Sequence, residues 1–225
     1  MPTSQTLAAT TPGPVWAHIT SPVGTVTVTV DPALTHAALA VRTPDDDGAF
    51  AEAVANATLN EAPATRMPSL IADVPELRSS KKHPEGHSPI TVDVRLPSGE
   101  SAIRLTTNDA DLHVHGYLHT LRFTTNSGNL HAEGVHTLAA SSEAGRVEVQ
   151  RIDHSLDLAV TTGDVNIGAY NGTSCRIHTG SGDVSITATP AATGTMEIIT
   201  RSGHITARGT SSLNEHVTVL QPASP

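Results

Sequence analysis

Between Ile103 and Leu220 the chain repeats itself six times with a period of about eighteen residues, each copy a variant of a Ser/Thr-x-x-Gly-[Asp/Asn]-hydrophobic-x-hydrophobic core. A unit this short cannot bury an apolar face alone, so the copies must stack on one another. They start at Ile103, Leu121, Leu138, Leu156, Cys175 and Met196, with a partial seventh at Leu213, at spacings of 18, 17, 18, 19, 21 and 17. Seven residues after each full start stands a small residue: Ala110, Gly128, Gly145, Gly163, Gly182, Gly203.

Four further columns are apolar or small: the starts themselves, then Leu105, Phe123, Ala140, Leu158, Ile177 and Ile198 two residues on. Nine residues on come Leu112, Leu130, Val147, Val165, Val184 and Ile205, and eleven on come Val114, Ala132, Val149, Ile167, Ile186 and Ala207. The positions between them are mostly polar, so each half-copy alternates in and out with the period of a strand. Each copy therefore reads as two short strands around a tight glycine turn. Tyr117, Val135, Ile152 and Tyr170 suggest a third inward column. Thr107, Thr125, Ser142, Thr179 and Thr200 place hydroxyls at a corner, where they can bond one another along the stack. The Asp or Asn after the glycine (Asp111, Asn129, Asp164, Asp183) suits such a turn and can bond its own backbone.

The fold class is thus all-β, a single-chain β-solenoid of about six to eight coils forming a rod on the order of 30 Å long. Ala17, Ile19, Ser21, Gly24, Val26 and Val28 fall on the same frame and make a first coil. Further strands are expected at Ala37 to Val41 and Ile90 to Leu96. Residues 43–89 break the frame and read as an insertion or lateral loop, with a short helix from about Gly48 to Thr58, that caps or flanks one end. The expected organisation is a disordered tail over 1–14, a solenoid domain over 15–220 (first coils 15–42, insertion 43–89, regular repeats 90–220) and a tail over 221–225.

Aromatic residues make up only 2% of the 225, so Val, Ile, Leu, Ala and Thr must fill the core. The net charge of -9 argues against a nucleic-acid partner. Cys175 stands in an inward column and reads as a buried small hydrophobe. No apolar run is long enough to insert in a membrane, and the first residues lack the basic and apolar regions of a signal peptide, so the expected compartment is the cytoplasm, with a surface location requiring a non-classical route or partner.

The GTVTVTV strand, the acidic Ala-rich segment, VDVRLPSGE and repeats such as TTNSGNLHAEG, VTTGDVNIG and HTGSGDVSI resemble a bacterial, largely actinobacterial domain-of-unknown-function family catalogued as a "putative adhesin". The resemblance covers about residues 15 to 220. It implies a β-solenoid and brings no catalytic residues.

Candidate sites lie in the outward columns. Asp164 and Asp183 stand one strand spacing apart, within the range of a carboxylate pair, but no second acidic cluster accompanies them and they read as turn residues. Calcium-binding nonapeptide repeats need Gly-Gly-x-Gly-x-Asp, which is absent here. Among thirteen histidines, His113 and His131 share one outward column while His115 and Glu133 share the next, a two-by-two patch with zinc-ligand chemistry. Such residues are ordinarily surface polar groups, and no catalytic, cofactor or metal residue is assigned. With His119, His136 and His154 close by, the same face is expected to charge as pH falls toward 6.

The leading expectation is a non-enzymatic interaction module that binds protein partners or itself through solenoid faces or ends, with a small-molecule substrate disfavoured. The alternatives are a polymerising cytoskeletal-like scaffold and a glycan-binding or polysaccharide-active β-helix. The last suffers from Tyr117, Phe123 and Tyr170 all falling in columns read as inward.

Overall fold

The computed structural model describes residues 2–62, 67–77, 90–209 and 213–219. In chain order these hold β1 (Thr3–Ala8), β2 (Trp16–Asp31), β3 (Ala38–Thr43), α1 (Gly48–Ala55), β4 (Thr58–Ala62), β5 (Ser69–Asp73), β6 (Thr91–Pro97) and β7 (Ala102–Ser127). There follow β8 (Leu130–Ala144), β9 (Val147–Thr162), β10 (Val165–Tyr170), β11 (Ser174–Ser181), β12 (Val184–Ala188), β13 (Gly194–Ser202), β14 (Ile205–Arg208) and β15 (Leu213–Val219).

The repeat columns are the hydrogen-bonded register of parallel ladders. Leu138 pairs with Leu156, Leu156 with Cys175, and Cys175 with Met196 on one side of the coil. Leu112, Leu130, Val147, Val165, Val184 and Ile205 line up successively on another. The first coil takes the expected frame, with Ala17 opposite Ile103, Gly24 opposite Ala110 and Val28 opposite Val114. Apolar columns that coincide in register bury one continuous core, in which Ile103, Leu112, Leu121, Val149 and Ile177 are sealed from solvent. Cys175 is buried with them, and burial pushes its thiol pKa up to about 12.

The corner glycines combine two reasons for being glycine. Gly128, Gly145, Gly163, Gly182 and Gly203 all have φ between 123° and 146°, where L side chains are strained. They also stack: a Cβ on any of them would strike the backbone carbonyl of its counterpart in the preceding coil. The following Asp or Asn acts between coils rather than on its own backbone. Asn129 N–H donates to Asp111 Oδ1 at 2.7 Å, Arg146 N–H to Asn129 Oδ1 at 2.9 Å, Asp183 N–H to Asp164 Oδ1 at 3.0 Å and His204 N–H to Asp183 Oδ1 at 2.8 Å. Arg146 has no acceptor to offer and instead pairs with the Asp164 carboxylate at 3.3 Å.

The hydroxyl column is buried, but its members do not bond one another. Thr125, Ser142 and Thr200 each donate to the carbonyl two residues on, at 2.6, 2.9 and 2.8 Å, fixing the corner locally. Four further corrections concern register and ends. Tyr117 leaves the inward column, because a bulge at Gly116 (φ 84°) adds a residue and puts Leu118 opposite Val135 instead. Phe123 and Tyr170 do face the core. In β15 it is Glu215, not Leu213, that pairs with Met196; a two-residue slip keeps side-chain parity, so alternation alone cannot detect it. Residues 1–14, expected as a tail, contribute β1.

The fourth correction is to the insertion. It contains the expected helix, but β5 joins the parallel stack beside β2 through Trp16–Ser69 to Thr20–Asp73, and β6 does so through Thr25–Thr91 to Asp31–Pro97. Beyond them direction reverses, with β4 antiparallel to β5, β3 antiparallel to β6 and β1 antiparallel to β3. Helix α1 rests on β1 and β3, and the Gln5 side chain donates to Ala55 O at 2.7 Å. The outermost strands at this end, β1 and β4, are each paired on one side only, and α1 covers part of the end. Residues 78–89 and the tail at 221–225 lie outside the described residues.

Candidate functional site

Side chains that the repeat turns outward gather on two neighbouring columns of coils β7, β8 and β9. In the first, His113 and His131 are in register with ring centroids 6.3 Å apart, and His131 Nδ1 lies 3.7 Å from Glu148 Oε2. In the second, His115 Nδ1 meets Glu133 Oε1 at 3.2 Å while Gly116 N–H donates to Glu133 Oε2 at 2.7 Å. That backbone donor, followed by His115, holds the Glu133 carboxyl below its ordinary range. The expected two-by-two patch thus exists as two separate pairs. Among the described residues no three metal-ligating side chains converge.

The more ordered feature lies around the next corner, where sequence reasoning had placed only nearby histidines. His119, His136 and His154, one from each of three successive coils, stack face to face with centroids 4.8 and 4.9 Å apart and ring planes within 22° and 8° of parallel. Their spacing is that of neighbouring strands. Burial, followed by the charges of His119 and His154, lowers the His136 pKa, and Asp153 opposes the shift.

Beside this stack lies Tyr117, 41% exposed. The Cδ2–Cε2 side of its ring covers Gly134 of the next coil, where an added Cβ would come within 2.9 Å of Cδ2. Its hydroxyl reaches His136 Nδ1 at 3.4 Å and interacts with the Asp153 carboxylate. Burial, then the Asp153 carboxylate, push the Tyr117 pKa up to about 12. Asp153 also accepts from Arg151 Nε at 2.8 Å and Asn171 Nδ2 at 2.6 Å; burial opposes its ionisation, yet these bonds hold its carboxyl low. Asn171 in turn accepts from the Thr189 hydroxyl. One polar network therefore crosses β7, β8, β9 and the coil turns that follow. The signal that could have exposed it was the Gly116 bulge, which shifts Tyr117 outward.

Asp164 and Asp183 are joined through a backbone N–H, as befits corner residues, rather than poised as a carboxylate pair. A shallow groove of about 440 Å³ lies over Ser141, Ala159 and Gly180, between Glu143 and Arg201.

A family model described as Toastrack DUF4097 matches residues 90–220. No curated protein matches the chain. Among solved structures, a putative adhesin from Bacteroides fragilis is 14% identical with a TM-score of 0.47, over 96% of this chain and 95% of that one. A putative cell adhesion protein from Clostridium sporogenes is 9% identical with a TM-score of 0.44, over 97% and 99%. A putative lipid binding protein from Parabacteroides distasonis is 13% identical with a TM-score of 0.40, over 96% and 97%. No helix among the described residues is long and apolar enough to cross a membrane.

Proposed function

The chain belongs to the Toastrack DUF4097 family, and we propose that it works as a non-enzymatic interaction module of adhesin type that self-associates through the open end of its solenoid. The observation that carries this reading is the difference between the two ends. At the N-terminal end the terminal strands β1 and β4 are each paired on one side only, but helix α1 rests on β1 and β3. At the other, among the described residues, β14 and β15 are likewise each paired on one side only but no helix rests on them, and Ile205, Ala207 and Leu213 stay partly buried, as Leu7 and Leu59 do at the first end. An unpaired edge with partly exposed apolar residues is a template for strand addition.

A helix over one end and none described over the other favours a two-fold pair over a filament, since a filament needs complementary surfaces at both ends. The polymerising-scaffold reading is correspondingly weaker. Analytical ultracentrifugation of the purified chain is expected to show a dimer, and Ile205→Lys a monomer with the same circular dichroism. A wild-type monomer at every concentration would overturn the reading, and filaments would favour the scaffold. The glycan-binding alternative gains a specific observation from the exposed Tyr117.

A further inference from the structure

We propose that Tyr117, lying over Gly134 and rimmed by Glu133, His136, Arg151 and Asp153, is a binding platform for a neutral carbohydrate ring. This deepens the reading of the chain as a binding module, at a site remote from the open end.

A pyranose ring offers an apolar C–H face and an edge of hydroxyls, and its recognition calls for an accessible aromatic face bordered by fixed donors and acceptors. Tyr117 and Phe50 aside, the large aromatic rings of the described solenoid lie inside it or, as with Trp16, mostly covered, whereas Tyr117 is 41% exposed. The ring is held in place from two directions. Gly134 leaves room beneath it that any side chain would remove, and the hydroxyl is tied to His136 and Asp153 on the two following coils. A platform ordered before the ligand arrives loses little entropy on binding.

The rim selects the ligand class by its charge. Glu133, which accepts from the N–H of Gly116 next to Tyr117 in the chain, and Asp153 supply carboxylates, and Arg151 supplies a guanidinium that is 60% exposed. The carboxylates disfavour phosphate, sulfate or other dense anions, and Arg151 disfavours a cation over the Tyr117 face. Both signs together suit uncharged hydroxyls, which donate to Glu133 and accept from Arg151. The His119, His136 and His154 rings stack beside it at 4.8 and 4.9 Å.

The experiment uses the full chain on an array carrying neutral, sialylated and sulfated oligosaccharides, followed by calorimetric titration of the neutral glycan retained best. Wild type is expected to retain neutral glycans. Tyr117→Ala should weaken binding about tenfold, and Tyr117→Phe, which keeps the ring, about threefold or less. Arg151→Ala, at an exposed position, should weaken binding while lowering the melting temperature only slightly through the lost Asp153 contact, which covers the case in which Tyr117→Ala fails to fold. Ile205→Lys should bind glycan like wild type, so failure of self-association and failure of this site are separable. No retention of neutral glycans, retention of charged glycans only, or equal affinity in wild type, Tyr117→Ala and Arg151→Ala would overturn the proposal.

Discussion

Gly163 sits at φ 146°, and a Cβ there would strike the Gly145 carbonyl of the coil before it. Gly13, at φ 104°, has nothing within 4 Å of the same hypothetical atom. Comparing the two separates backbone strain from close approach. Gly163→Ala is expected to cost about 2–4 kcal/mol and Gly13→Ala about 1–2 kcal/mol, read from urea unfolding midpoints. Equal costs would mean that the coils relax freely around the new methyl. The glycine column was plain in the sequence as a turn signal; that each glycine also seats the preceding one's carbonyl was not, because the contact joins residues 17 to 21 apart that only stacking brings together.

Within each coil, register is decided by alternation plus the corner, and the failures of sequence reasoning mark where one of the two is missing. β2 carries Gly24 and takes the expected frame, while β15 is not followed by a described glycine corner and takes a register two residues away. At β7 an extra glycine, Gly116, shifts Tyr117 from core to surface. The same element-level geometry stacks His119, His136 and His154, and it has a pH consequence. Because His136 titrates below its ordinary value in the fold, its neutral form is the one the fold favours. Stability from this source is fully present above the ordinary histidine pKa of about 6.5 and is lost as pH falls through the lower folded value. The melting temperature should therefore drop more between pH 7.5 and 5.5 in wild type than in His136→Gln. Identical drops would show that His119, His154 and Asp153 accommodate the charge without cost.

For the whole molecule, a stack in which each coil touches only its neighbours opens from whichever end is least supported. Hydrogen exchange should be fastest in β12 to β15 and slowest in β2, β7 and β8, with protection of β14 and β15 rising with protein concentration if the open end pairs. Uniform protection would indicate a single cooperative unit with no weak end. By itself the sequence determined the solenoid, its period, its inside and its corners, because eighteen-residue spacing, strand alternation and positive-φ glycines are local properties written again in every copy. Only the tertiary structure decided which residues the copies bring together across coils: the Asp/Asn ladder, the imidazole stack, the Tyr117 platform and the unequal ends. The platform depends on a bulge that changes register by one residue and the unequal ends on the reversal of strand direction beyond β5 and β6, and neither leaves a periodic trace in the chain.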